Sequence, residues 1–233
     1  MNVVTVHYNT PQLTEAMIMS LNRQTPGCKV YVFDNSDRRP FLADIPNVEV
    51  LDNTKGQIID LDAWLDTFPN KVKPLTLLDN YGSARHTKSV DMCFDLIPDG
   101  FILLDSDVLV RRDISAFWDK ECATAGEINK SRKHEVNIPR LWPFICYLNV
   151  PMLKEYGIRY CNEEKMWFLN DKLPDMYYDT GAWVLEECSR LGLLHNEMLT
   201  RAYIVHYGRG SKRQDFEDNE TEWLKKHEDL WRY

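Results

Sequence analysis

Along the first hundred residues, short apolar runs alternate with longer stretches in which apolar positions recur every three or four residues. Residues 3–6, Val-Val-Thr-Val, read as a strand that gives way at His7-Tyr8-Asn9-Thr10-Pro11. There Thr10 can cap a helix with Pro11 at its first position. Leu13, Met17, Ile18 and Leu21 then share one helical face. Residues 30–33 predict a second strand ending at Asp34-Asn35-Ser36-Asp37, and residues 48–51 a third ending at Asp52-Asn53. Residues 61–68 read as helix and 75–78 as a short strand before Asp79-Asn80-Tyr81-Gly82. Residues 83–97 form an amphipathic pattern with Val90, Cys93, Phe94 and Ile97 on one face and His86 a turn earlier on it. The wholly apolar residues 101–104, fenced by turn residues, predict a strand buried on both faces.

This alternation predicts an α/β fold, a mostly parallel sheet covered by helices on both faces. Parallel strands place their carboxyl ends along one edge, where open α/β sheets bind ligands. Tyr8-Asn9-Thr10, Asp34-Asn35, Asp52-Asn53, Asn80 and Asp105-Ser106-Asp107 each follow a proposed strand, so their polar side chains are expected on that edge. Each cluster alone is ordinary turn chemistry.

The later sequence is less regular. Residues 119–140 are polar and read as a surface excursion, 141–148 as a strand, 151–156 as a short helix, and a further helix begins near Ala182. Residues 204–213, Ile-Val-His-Tyr-Gly-Arg-Gly-Ser-Lys-Arg, read as a strand followed by a glycine-rich basic loop. Residues 215–233 are a charged amphipathic helix with Trp223, His227, Leu230 and Trp231 on one stripe, suited to docking on the domain.

Composition narrows the class. The chain has 233 residues and a formal charge of −8, which excludes the basic footprint of a nucleic-acid binder. Its first residues carry no signal-peptide pattern, and no apolar run is long enough to span a bilayer. The expectation is a cytoplasmic protein that can sit peripherally at the inner face of a membrane. Six scattered cysteines without a Cys-x-x-Cys pair predict buried reduced thiols.

Candidate chemistry starts at Asp105 and Asp107. Side chains at i and i+2 of an extended segment project the same way, so the two carboxylates can present oxygens to one hard cation. A turn in which they merely cap the strand end is the alternative. His206, a neutral imidazole at a strand end, can complete a metal site begun by carboxylates, while Arg209, Lys212 and backbone N–H groups can approach a diphosphate.

Val-Thr-Val-His-Tyr-Asn at 3–8, Phe-Asp-Asn-Ser at 33–36, Gly-Ser-Ala-Arg-His at 82–86 and Leu-Leu-Asp-Ser-Asp at 103–107 resemble the nucleotide-sugar half of a GT-A glycosyltransferase, of the family 2 type. The resemblance implies Asp107 and Asp105 as ligands of Mn2+ or Mg2+ at the donor diphosphate, and Asp34 against the base or ribose. It further implies a nucleoside pocket lined by Tyr8, Asn9 and Thr10; with the edge placement of Asn80 and Ser106, it puts Asn80, Arg85, His86 and Ser106 at the donor, the alternatives being a solvated Arg85 and a His86 that packs on the apolar face. Where many members carry Ala-Arg-Asn, this chain has Ala84-Arg85-His86. An acceptor-side acid often serves as base in such enzymes, which nominates Asp179, with Asp171 and Asp175 in reserve; capping of the helix near Ala182 by Asp179 or Thr180 is the alternative. The implied reaction moves a sugar from a UDP- or GDP-linked donor to a saccharide or lipid-linked saccharide hydroxyl in surface polysaccharide or glycan synthesis, with inversion preferred; the pattern from His206-Tyr207-Gly208 to Lys212 also resembles the end of some retaining enzymes of the same fold, in which Asp179 would orient sugar hydroxyls and no side-chain base is required. The implied organisation is a single domain with a donor half (1–113), an acceptor-side half (114–213) and a C-terminal helix (214–233). A haloacid-dehalogenase-like phosphatase and a non-catalytic sugar-nucleotide-binding module are the alternatives.

Overall fold

A computed structural model describes residues 1–60, 74–129, 138–162, 179–208 and 216–232, with backbone alone at 74–81, 83–84 and 216–218. In chain order the first elements are β1 (Asn2–His7), α1 (Pro11–Gln24), β2 (Lys29–Asp34), β3 (Val48–Asp52), α2 (Pro74–Leu96), β4 (Phe101–Leu104) and β5 (Val108–Val110). They are followed by β6 (Thr124–Asn129), β7 (Arg140–Leu148), α3 (Val150–Glu155), α4 (Ala182–Arg190), β8 (His195–Glu197), β9 (Ile204–His206), α5 (Phe216–Lys226) and α6 (Glu228–Trp231).

Seven strands form one sheet in the order β3-β2-β1-β4-β7-β6-β8, and β5 pairs with β9 in a separate ribbon. Neighbours β3, β2, β1 and β4 are parallel, as are β6 and β8. Only β7 runs against its neighbours, between β4 and β6. The carboxyl ends of β1, β2, β3 and β4 therefore share an edge, as the alternation predicts.

β4 shows how the sheet is held. All four of its side chains are fully buried, Phe101 and Leu103 in the layer with Val90, Phe94 and Val184, and Ile102 and Leu104 in the layer with Met17, Ile18 and Leu21. Period-two alternation thus feeds two hydrophobic layers at once, and each such side chain contributes roughly 1.5–3 kcal/mol. The expected faces of α1 and α2 are the ones buried.

Three expectations change. Residues 75–78 are helical, because α2 starts at Pro74 and runs unbroken through Gly82. Proline is tolerated in a first helical turn, and the Asp-Asn-Tyr-Gly turn signal is overridden. The excursion at 119–140 contains β6, whose Thr-Ala-Gly-Glu-Ile-Asn sequence lacks apolar alternation and whose pairing with β7 shifts between Gly126 and Ile128. The C-terminal helix is two helices with His227 between them. They dock as expected, with Leu224, Trp223, Leu230 and Trp231 packed around Leu13, Ala16 and Leu109. The expected helix at 61–68 lies outside the described residues.

Among the described residues no helix is long and apolar enough to cross a membrane. All six cysteines are buried, and none forms a disulfide.

Candidate active site

The two aspartates sit where β4 leaves the sheet. The Asp105 N–H donates to the Phe144 carbonyl at 3.2 Å, so the β4–β7 ladder extends one residue past the strand. The chain turns through Ser106 and Asp107 into β5, which pairs antiparallel with β9 so that Val108 faces His206. The Tyr207 N–H donates to the Asp107 carbonyl at 2.9 Å and fixes the end of the ribbon. This register sets His206 Nε2 3.1 Å from Asp107 Oδ1. One ligand atom each from Asp105, Asp107 and His206 lies within 4.8 Å of the others. The three side chains are 14–25 % exposed, enough for an ion or phosphate to reach them.

Phe144 stacks against the His206 ring at 3.9 Å between centroids and limits its rotation. Burial disfavours a charged His206, but the hydrogen bond to Asp107 and the charges of Asp107 and Asp105 outweigh it, so its pKa is raised. A proton on His206 thus supplies positive charge to a carboxylate pair that otherwise repels itself.

Asp105 has a second neighbour. His86 Nε2 lies 3.4 Å from Asp105 Oδ1, and its Nδ1 is 3.1 Å from the Thr180 hydroxyl. Asp179, the expected base, is ion-paired with Arg140 and accepts the Thr180 backbone N–H at 2.8 Å. It does not cap α4; Gly181 occupies the N-cap position, with φ +81°. Among the described residues, Asp179 is linked to the acidic pair through Thr180 and His86.

The first strand loop is organised around a different acid from the one expected. Asp34 is 1 % exposed. Its oxygens accept the Ser36 and Phe41 N–H groups at 2.9 and 2.7 Å, so it builds the loop from within. Asp37, three residues on, is about half exposed and accepts hydrogen bonds from the Tyr8 hydroxyl and the Asn9 amide. Asn9 holds a left-handed backbone, φ +57°, and its Oδ1 accepts the Arg38 and Arg39 N–H groups. Arg85 lies over the Tyr8 ring, 5.4 Å from its centroid. Asn35 and Asn53 are also internal, joined to each other and to Ser89 by 2.6 Å hydrogen bonds.

The structure therefore brings together Asp105, Asp107, His206 and His86, with Ser106 in the turn between the aspartates, and separately Tyr8, Asn9 and Arg85. Asn80 lies in α2, not after a strand, and its side chain is outside the described residues, as are Arg209, Lys212, Asp171 and Asp175. Arg140, Tyr160 and Asp37 were not singled out from the sequence, and Thr180 was read there only as a helix cap. Of these only Asp37 carried a signal, as one of the two acids after β2.

A mostly parallel sheet with one reversed inner strand, flanked by helices, makes the fold GT-A-like. Among solved structures the chain is similar to the galactosyltransferase LgtC, crystallised with donor and acceptor sugar analogs, at a TM-score of 0.55 and 13 % identity over 86 % of this chain and 74 % of that one. It is also similar to the glycosyltransferase GlyE of Streptococcus pneumoniae TIGR4, at a TM-score of 0.51 and 14 % identity over 95 % of this chain and 59 % of that one. No family model matches the sequence, and a search of curated proteins finds no relative. The likeness is one of fold, GT-A-like.

Proposed function

We propose that the chain transfers a sugar from a UDP- or GDP-linked donor to a saccharide or lipid-linked saccharide hydroxyl, with Mn2+ or Mg2+ held by Asp105, Asp107 and His206. The observation that carries this reading is the convergence of those three side chains within 4.8 Å. Two carboxylates and an imidazole are a donor set suited to such a cation. When bound, the cation neutralises charge on the departing nucleoside diphosphate. The chain's own residues hold and orient. Asp105 and Asp107 anchor the cation beside the diphosphate, and Phe144 keeps the His206 ring turned toward them. Tyr8, Asn9, Asp37 and Arg85 offer a polar and aromatic rim to the nucleoside. LgtC was solved with donor and acceptor sugar analogs, which supports a sugar donor and a saccharide acceptor for this chain.

The pairing of Asp179 with Arg140 changes the sequence-based expectation of inversion. A carboxylate whose charge is balanced by a guanidinium is a weak proton acceptor. In this proposal Asp179 orients sugar hydroxyls, no side-chain base is required, and the anomeric configuration of the donor is retained. The phosphatase alternative is set aside, since the solved structures of like fold are glycosyltransferases.

The test is incubation with UDP- and GDP-sugars and Mn2+, with and without simple saccharides, followed by NMR of the first-formed anomer. The proposal requires metal-dependent release of the nucleoside diphosphate, lost in Asp107→Asn, and a product of retained configuration. No turnover of any donor would favour a binding module, and an inverted anomer would return Asp179 to the role of base.

A further inference from the structure

Behind the acidic pair lies a chain of polar groups that donor binding alone does not explain. Tyr160 is 1 % exposed, and its hydroxyl makes its hydrogen bond to the Thr180 hydroxyl at 3.1 Å. Thr180, 6 % exposed, in turn lies 3.1 Å from His86 Nδ1. Nε2 of the same ring is buried, 3.4 Å from Asp105 Oδ1, and has no formed hydrogen bond among the described residues. The four groups come from α2, the turn after β4, residue 160, and the turn before α4, so their alignment is a product of the fold.

Each hydroxyl has one proton to give, and that fixes the direction of the chain. Burial keeps the Tyr160 phenol protonated, its pKa well above the usual value. The described residues offer its proton a single acceptor, the Thr180 oxygen. A buried phenol proton left without an acceptor costs about 1–3 kcal/mol, so Tyr160 donates to Thr180. Thr180 must then spend its own proton on His86 Nδ1. That leaves the imidazole proton on Nε2, the atom nearest the Asp105 carboxylate. In the reverse order the phenol proton is stranded and a nitrogen lone pair faces a carboxylate, so both ends are unfavourable.

We propose that Tyr160 and Thr180 form a relay that sets His86 as its Nε2–H tautomer, and that His86 is a positioning residue presenting that proton to Asp105 Oδ1. A hydrogen bond formed there would occupy Asp105 Oδ1 and leave the other carboxylate oxygen for the cation. This inference rests on the proposed metal site for its purpose, but the tautomer is a property of the metal-free protein. Partners of this kind typically tune metal affinity by about 10–100-fold.

The experiment has two arms. In the first, two-bond 1H–15N correlation spectra of histidine-labelled, metal-free protein report the tautomer of His86, assigned with His86→Gln. The expected result is Nε2–H in the wild type and a shift toward Nδ1–H in Tyr160→Phe, which frees Thr180 to accept. Thr180→Val serves as a second break of the relay, and thermal melts confirm that each variant is folded. An Nδ1–H or doubly protonated His86 in the wild type, or an unchanged tautomer in both variants, overturns the proposal. In the second arm, Mn2+ affinity is read by electron paramagnetic resonance. His86→Ala is expected to weaken it about 10–100-fold. His86→Gln, whose amide N–H can reach the place of Nε2–H, is expected to restore most of it. Equal affinity in wild type and His86→Ala would overturn the positioning role. A wild type that binds no Mn2+ would remove the metal from the proposed function, while the tautomer arm still decides the relay.

Discussion

Gly181 forms the turn that sets Asp179 and Thr180 against β7, and replacing it with alanine gives a sharp test. Its φ is +81°, and a Cβ there would lie 2.2 Å from the Leu141 carbonyl oxygen and 3.1 Å from its carbon. The left-handed conformation alone costs an L-residue about 1–2 kcal/mol. The clash is with backbone of β7, so it cannot be relieved by a side chain swinging away. The turn must back off by about 1 Å to reach ordinary contact, which breaks the 3.2 Å hydrogen bond from the Leu141 N–H to the Gly181 carbonyl. That bond is worth about 0.5–1.5 kcal/mol, and its unpaired buried groups cost more. Gly181→Ala is therefore expected to lose roughly 2–4 kcal/mol, which at about 2–4 °C per kcal/mol for a chain of this size lowers Tm by about 5–15 °C. The control is Gly27→Ala, where φ is +84° but nothing lies within 4 Å of the added Cβ. It carries the conformational cost without the clash. Differential scanning calorimetry of both variants separates the two contributions, and equal losses at the two sites would refute the steric argument.

Three further outcomes follow from the same geometry. Glu220 is fully buried, and its Oε1 accepts the Leu13 N–H at 3.2 Å, so α5 caps the first turn of α1, where Thr10 makes no side-chain cap. Glu220→Ala should cost about 1–3 kcal/mol in urea unfolding and expose α5 to limited proteolysis, with Glu220→Gln milder. Burial lowers the pKa of both His7 and His195 below 6.5, so below that pH the unfolded chain binds protons that the folded one does not. His206, with its pKa raised, stabilises the metal-free protein below pH 6.5 and loses that contribution as pH rises through its folded value. Metal-free stability measured by urea titration should therefore peak near pH 6.5, and His195→Gln should flatten the acid side. Arg140→Ala should slow transfer while leaving nucleoside diphosphate affinity within about threefold, because Arg140 holds Asp179 and not the cation site; an equal fall in both would place Arg140 at the donor.

Much of the acidic cluster was legible because its signals are local. An apolar run that feeds two core layers, followed by acids two residues apart, announces both β4 and its cargo. His206 was readable because a strand end next to glycine leaves an imidazole at an edge. The failures are of three kinds. In residues 75–78 and at β6 local composition misled, since Asp-Asn-Tyr-Gly looks like a turn and Thr-Ala-Gly-Glu-Ile-Asn does not look like a strand, and tertiary packing overrode both. The second kind is long-range. His86 meets Thr180 across 94 positions and Arg140 meets Asp179 across 39, and no spacing rule carries that information. Asp34 illustrates the third kind, because the acid nearest the strand end turned inward to bind Ser36 and Phe41 while Asp37 took the outer position.

The central claim is that Asp105, Asp107 and His206 act together to hold a cation against a nucleoside diphosphate. Thermal shift with UDP or GDP, with and without Mn2+, tests it most directly. At 100 times the dissociation constant the ligand adds about 2.7 kcal/mol of apparent stability, so Tm should rise by about 5–11 °C only when metal and nucleotide are both present. The rise should vanish in Asp107→Ala and in His206→Ala, each of which removes one member of the triad. A nucleotide shift that needs no metal, or one that survives in both variants, would contradict it.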